Sequence, residues 1–183
     1  MNIVPTEIAD VLILEPKVFG DDRGFFKETC NLQKFAQKNL PTSFVQDNHS
    51  GSSRGILRGL HYQIRHPQGK LVWAIVGSIF DIAVDLRRPS PTFGQWVAVE
   101  LTAQNHRQLW IPPGFAHGFL VTSYWAEVVY KTTDIYAPEW ERTILWNDET
   151  LNIPWPLDGK EPQLSEKDRK GQKFVDADVY EDF

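Results

Sequence analysis

Ile79-Phe80-Asp81-Ile82-Ala83-Val84-Asp85-Leu86 alternates in strict period two: Phe80, Ile82, Val84 and Leu86 share one face, and Asp81, Ala83 and Asp85 share the other. Successive side chains of a strand point to opposite faces of a sheet, so this run predicts a β-strand. Outward from it, short runs of the same kind recur between turn residues. Upstream they are Phe44–His49, Ile56–Gln63 and Leu71–Val76; downstream they are Gln95–Leu101, Gln108–Ile111, His117–Thr122, Glu127–Thr133 and Thr143–Trp146. Nearer the start, Val11–Leu14 and Gly24–Thr29 read as strands joined by the turn-prone Gly20-Asp21-Asp22. Asn31 is suited to cap a helix running to about Leu40, with Leu32, Phe35 and Ala36 on one face and Pro41 ending it. Closely spaced strands without intervening helices predict an all-β jelly-roll barrel or sandwich, with one short N-terminal helix. From about residue 147 the chain turns polar and Pro-rich, with a helical turn capped by Ser165. It reads as a tail packed on the barrel, so residues 1–183 are expected to form one domain.

Composition narrows the function. Aromatic residues make up 13% of the chain, with seven Trp and eleven Phe, which suits pleated β-surfaces and a pocket for flat or sugar-like ligands. The net charge is −5 and no basic block exceeds the pair Arg87–Arg88. Nucleic-acid binding needs a dense basic face to displace counterions, so no nucleic-acid partner is expected. Single Arg and Lys residues still suffice to hold one or two phosphates. Cys30 is the only cysteine, which fits a reducing compartment. Residues 1–10 carry neither a basic segment nor an apolar run, and no apolar stretch is long enough to span a bilayer. The expected location is the cytoplasm, away from membranes.

Two segments carry the chemistry. In Ser53-Arg54-Gly55-Ile56-Leu57-Arg58-Gly59-Leu60-His61-Tyr62-Gln63, glycines, arginines and a histidine flank an apolar strand. Glycine at such places permits a bulge or a close ligand approach. Read alone, the segment favours surface arginines and a hydrogen-bonded core histidine over a functional site. In Ile111-Pro112-Pro113-Gly114-Phe115-Ala116-His117-Gly118-Phe119, a Pro-Pro-Gly turn delivers His117 into a strand. This resembles the second cupin motif, in which such a turn leads to a metal-binding histidine. A metal-binding cupin also supplies a His-x-His and then a Glu, followed after six residues by a Gly. Here His61-Tyr62-Gln63 stands in the first place, and Lys70, followed after six residues by Gly77, stands in the second. A cation at a ligand position repels a divalent metal. The reading is therefore a cupin-like barrel with no metal, in which Lys70 faces an oxyanion or phosphate.

With Asp22-Arg23-Gly24-Phe25-Phe26-Lys27-Glu28, Gln46, Asn48, Tyr130, Tyr136, Glu141 and Ser165-Glu166-Lys167-Asp168 in the same order, the chain resembles the dTDP-4-dehydrorhamnose 3,5-epimerase family over nearly its whole length. The resemblance implies an isomerase without cofactor, a dTDP-sugar substrate, a homodimer and a place in activated L-rhamnose synthesis. It further implies that His61 is the general base, Asp168 its hydrogen-bond partner, Tyr130 the general acid and Lys70 the holder of the 4-oxygen. Arg23 and Arg58 would contact the diphosphate. Phe26, Glu28, Gln46, Asn48, Glu141 and Lys167 would hold the nucleotide, His117 would lie near the sugar or diphosphate, and Tyr136 would stack on the base.

Chemistry agrees with such a set. Carbons 3 and 5 of a 4-keto sugar flank the carbonyl, and their protons are acidic only if the enolate is stabilised. Inversion needs a base on one face, an acid on the other and a cation at the oxygen. On an unbroken strand, however, Arg58 and His61 have opposite parity. Both can serve one ligand only if Gly59 bends the chain or Arg58 still belongs to the preceding turn. Three other readings remain: a single-site epimerase or ketoisomerase, a metal-dependent cupin, and a silent sugar-nucleotide binder.

Overall fold

A computed structural model describes residues 1–183. The strands, in chain order, are β1 (Asn2–Pro5), β2 (Leu12–Glu15), β3 (Val18–Asp21), β4 (Gly24–Lys27), β5 (Gln46–Ser53), β6 (Leu57–Gln63), β7 (Lys70–Val76), β8 (Ser78–Asp85), β9 (Trp96–Thr102), β10 (Gln108–Ile111), β11 (Phe115–Val121), β12 (Trp125–Thr132) and β13 (Glu141–Thr143). Two short helices complete the set, α1 (Leu32–Ala36) and α2 (Glu166–Arg169). One sheet runs β1-β2-β10-β7-β12-β5 and the other β13-β6-β11-β8-β9, and the pairings within both are antiparallel. The all-β jelly roll expected from the alternating runs is what the chain forms.

Apolar side chains from both sheets fill the space between them, among them Val72, Ile79, Val99, Leu109, Phe119 and Val128. The opening run is instructive here. In β8, Ile79 and Ala83 enter this inner cluster, whereas Ile82, Val84 and the following Leu86 belong to a second cluster on the outer face of the same sheet. That outer face is covered by the C-terminal tail, through Leu151, Trp155 and Tyr180. Trp155 packs edge-on against Phe80 and donates from Nε1 to Trp146 O at 2.7 Å. The other sheet's outer face is covered by α1 and the segment after it, with Phe35 and Leu40 against Leu71, Trp73 and Trp110. Both sheets are thus buried on two faces over much of their area, which explains a strand whose faces are both inaccessible.

Three boundaries differ from expectation. The N-terminal hairpin pairs β4 with β3, not with the strand at Leu12, through a turn at Asp22-Arg23; Val18–Asp21 is polar enough at its end to read as turn. The segment at Leu12 pairs instead with β1 and β10. Asn31 does cap α1, accepting from Lys34 N at 3.1 Å, but regular α-helix ends at Ala36 and the chain reaches Leu40 through turns. The strand expected at Thr143–Trp146 starts and ends earlier, at Glu141–Thr143; Ile144 still exchanges backbone hydrogen bonds with Leu60 of β6 while it bridges Gln172 in the tail. No helix is long and apolar enough to cross a membrane.

Candidate active site

A cavity of about 630 Å³ opens at one end of the sandwich, between the two sheets and under the tail. That volume lies within the range that buries a small ligand. Sheet pairing explains which side chains reach it. On β6 and β11, His61 and His117 stand directly opposite in the ladder, so both imidazoles share one face. On the other sheet, Asn48 of β5 lies opposite Tyr130 of β12, and both line the cavity. Lys70 enters from the first position of β7, opposite Thr132.

The parity conflict between Arg58 and His61 is resolved by a bulge. His117 pairs with His61 and Phe119 with Arg58, so three steps on β6 match two on β11. The extra residue lies within Gly59-Leu60, and both Arg58 and His61 line the cavity. Gly59 has φ +130, and a Cβ on it would lie 2.4 Å from Gly118 Cα, so only glycine fits.

His61 Nε2 donates to Asp168 Oδ1 at 2.6 Å, which leaves Nδ1 as the nitrogen free to take a proton. Burial lowers the pKa of His61 below the usual histidine value; the bond to Asp168 opposes this, while the nearby Lys167 and Lys70 add to it. Burial works against the charge of Asp168, but the bonds from His61, Ser165 and Gly59 N outweigh it and hold the carboxyl down at about 2. Lys70 is 8% exposed, and its Nζ donates to His61 O at 3.4 Å. Burial brings its ammonium down to about 8, with Asp81 and Glu141 favouring the charge. Burial also raises the Tyr130 hydroxyl, so it stays protonated at neutral pH; the Arg58 charge opposes this shift.

Around this centre the remaining polar groups form two regions. The Arg58 guanidinium binds Ser52 Oγ through Nε at 3.2 Å and Nη2 at 2.9 Å, and its charge is not matched by a carboxylate there. At the mouth, Lys167 Nζ donates to Glu141 Oε1 at 2.8 Å and the Tyr136 hydroxyl donates to Glu141 Oε2 at 2.9 Å. Tyr136 N donates to Gln46 Oε1 at 3.1 Å, and Gln46 Nε2 donates to Asn48 Oδ1 at 2.8 Å. The Tyr136 ring itself is half exposed, available as a flat surface.

Three residues implied by the resemblance lie elsewhere. Arg23 sits in the β3–β4 turn, paired with Asp21, and the Phe26 side chain on the same hairpin is exposed. Glu28 follows the hairpin and binds Lys34 and Asn31. Conversely, three residues gain importance that the sequence did not disclose. Asp81 accepts from His117 Nε2 at 2.6 Å, and its buried Oδ2 has no hydrogen-bond partner. Its signal was the polar face of the opening run, which turns out to look inward. Gln63, 3% exposed, donates to His66 O and Ile135 O and accepts from Ala137 N, clamping the loop that carries Tyr136. Ser165 binds Asp168 from within the tail. No three His, Cys, Asp or Glu side chains converge as metal ligands would.

A sequence model described as dTDP-4-dehydrorhamnose 3,5-epimerase matches residues 5–176. The dTDP-4-dehydrorhamnose 3,5-epimerase of Pseudomonas aeruginosa is 63% identical over 181 residues, covering 98% of this chain and 99% of the relative. In structure, the dTDP-6-deoxy-D-glucose-3,5-epimerase of Legionella pneumophila, crystallised in complex with dTDP-4-keto-L-rhamnose, superposes with a TM-score of 0.96 at 48% identity, over 100% of this chain and 98% of that one. A 3'-monoepimerase from Streptomyces bikiniensis in complex with dTDP-quinovose gives a TM-score of 0.87 at 33% identity, over 93% of this chain and 87% of that one.

Proposed function

The chain belongs to the dTDP-4-dehydrorhamnose 3,5-epimerase family of isomerases, and from that premise we propose that it inverts carbons 3 and 5 of dTDP-4-dehydro-6-deoxy-D-glucose to give dTDP-4-dehydro-L-rhamnose. The observation that carries this reading is the placement of His61 and Tyr130 on opposing sheets around one cavity. Inversion needs a base and an acid on opposite faces of the sugar. A sandwich that presents one from each sheet supplies that arrangement.

In this mechanism His61 Nδ1 takes the proton from the carbon beside the 4-keto group. The electron pair of the broken C–H bond moves into the enolate, whose charge collects on the 4-oxygen beside the Lys70 ammonium. Such a preorganised cation in a dry site is worth more than in water. Asp168 holds the imidazole in the productive tautomer and favours the imidazolium as it forms. Tyr130 then returns a proton from the other side, and the imidazolium and tyrosinate exchange protons with solvent before the second carbon reacts. No electrons are transferred, so no redox cofactor is required, and the Lys70 ammonium supplies the positive charge that a metal ion would otherwise bring to the 4-oxygen.

Substrate binding follows the same logic. Arg58, with no carboxylate against its guanidinium, is assigned to the diphosphate, and His117, oriented by Asp81, to the sugar or diphosphate. Gln46, Asn48, Glu141 and Lys167 hold the nucleotide, and Tyr136 stacks on its base. Arg23, Phe26 and Glu28 are assigned to the cavity of a second copy. The hairpin that bears Arg23 and Phe26 exposes Phe19, Phe25 and Phe26, and a lone two-stranded hairpin with an apolar face is unlike a finished surface. Strand β5, beside the cavity, is an open sheet edge that such a hairpin from a partner can extend. A cytoplasmic homodimer completes this reading.

The test is incubation with the 4-keto-6-deoxyglucose nucleotide in deuterium oxide. Deuterium at both carbons with the L-configured product is expected. Deuterium at carbon 3 alone would replace the double epimerase with a single-site one.

A further inference from the structure

The Asp168 carboxylate is itself positioned, and by a residue to which none of the roles above belongs. Oδ1 accepts from His61 Nε2 at 2.6 Å and from Gly59 N at 3.3 Å. Oδ2 accepts from the Ser165 hydroxyl at 2.6 Å and from Ser165 N at 3.3 Å. A carboxylate offers about four acceptor positions, and all are filled. Asp168 is 2% exposed, so water is not there to replace a lost donor. The strong contacts, one to each oxygen, are those from His61 and Ser165. They fix the plane of the carboxylate against rotation about its Cβ–Cγ bond.

We propose that Ser165 is a positioning residue for catalysis: its hydroxyl locks the Asp168 carboxylate so that Oδ1 stays aligned with His61 Nε2 and Nδ1 stays free for the substrate. This rests on the proposed roles of His61 and Asp168 and adds a member to them. The sequence placed Ser165 as a helix cap, and it is one: its Oγ accepts from Asp168 N at 3.2 Å. Capping uses the oxygen as an acceptor, whereas positioning uses the O–H as a donor, so one side chain does both. The tail contributes Asp168 from outside the barrel, far along the chain from His61. A short, exact tie within α2 is therefore what keeps the pair in register with β6.

The two uses separate by substitution. Glycine caps a helix nearly as well as serine, but it has no hydroxyl to donate. Threonine retains both uses. In Ser165→Gly, kcat and the rate of deuterium entry should fall about ten- to a hundredfold, the scale of a misplaced catalytic group. KM and the Kd of dTDP should stay within about twofold, since the nucleotide contacts are untouched. Ser165→Thr should recover most of the rate. His61→Asn is measured in parallel. If the wild type exchanges, His61→Asn does not, and Ser165→Gly matches the wild type, Ser165 is only a cap and this inference is overturned. Equal loss of kcat, dTDP affinity and thermal midpoint in Ser165→Gly overturns it too, in favour of a role in folding. A wild type that incorporates no deuterium overturns instead the functional reading on which it rests.

Discussion

At the scale of single residues, the account depends on two charge states. His61 must be neutral to accept a proton, and its burial keeps the pKa below the ordinary 6.5. The acid limb of activity should therefore lie below that value. Lys70 must be charged to hold the enolate oxygen, and its pKa of about 8 means that the charge is lost as pH rises through that point. The kcat/KM profile should be bell-shaped, with its basic limb near 8. Lys70→Arg should move the basic limb upward while lowering the maximum, because guanidinium does not titrate in this range. A basic limb unchanged in Lys70→Arg would assign it to another group. His61→Asn should cost about 10²–10⁴ in exchange at both carbons, the usual yield of a general base, with dTDP affinity retained. Exchange near the wild-type rate would make His61 structural.

At the scale of elements, the tail is as much part of the site as the strands are. Trp155 anchors it on the outer face of the β6–β11–β8 sheet, 8% exposed against Phe80. Trp155→Ala should destabilise the protein by about 3–5 kcal/mol, read as a lowered denaturation midpoint. Activity should fall with it, since the tail carries Lys167 and Asp168. A midpoint unchanged from the wild type would mean that the tail docks without this anchor. Much of this level was legible: most core strands of the barrel lie within a residue or two of the alternating runs, and Asn31 and Ser165 cap the helices they were expected to cap. What was not legible depended on contacts distant in sequence. Nothing near Val18 says that it pairs with Lys27, and nothing near Asp81 says that its polar face looks inward onto His117. The bulge at Gly59 was one of two ways to satisfy parity, the other being an Arg58 still in the preceding turn, and only the pairing with β11 shows which the chain uses. Gln63 reads as an ordinary strand residue until the loop it clamps has folded over it.

At the scale of the whole molecule, one chain has an almost complete cavity and an unused hairpin. If the hairpin serves a partner, Arg23→Ala and His61→Asn homodimers should each be impaired. Mixed dimers should regain about half of a wild-type dimer's activity, or about a quarter in an unsorted mixture, through the one cavity on which neither lesion falls. No recovery on mixing, or a monomer in sedimentation, would return Arg23 to its own chain or remove it from the site. The donor set of the cavity makes a further prediction at this level. With Lys70 in the place of an acidic ligand, chelator-treated protein should keep its full rate, and activity restored only by added zinc, iron or manganese would contradict the proposed chemistry.

The central claim is that the two sheets supply opposite faces of one reaction, His61 from one and Tyr130 from the other. Tyr130→Phe tests it most directly, because the ring and its packing remain while the proton donor is lost. The measurement is deuterium entry at carbons 3 and 5, set beside the yield of inverted product from the same incubation. With His61 and Lys70 intact, the carbon–hydrogen bonds should still open, so exchange should continue at a measurable rate. Inversion should be mostly lost at one carbon or both, with the returning proton arriving on the face from which the first one left. Exchange and inversion falling together by the same factor would contradict the account, since Tyr130 would then act during enolisation and not from the opposing face.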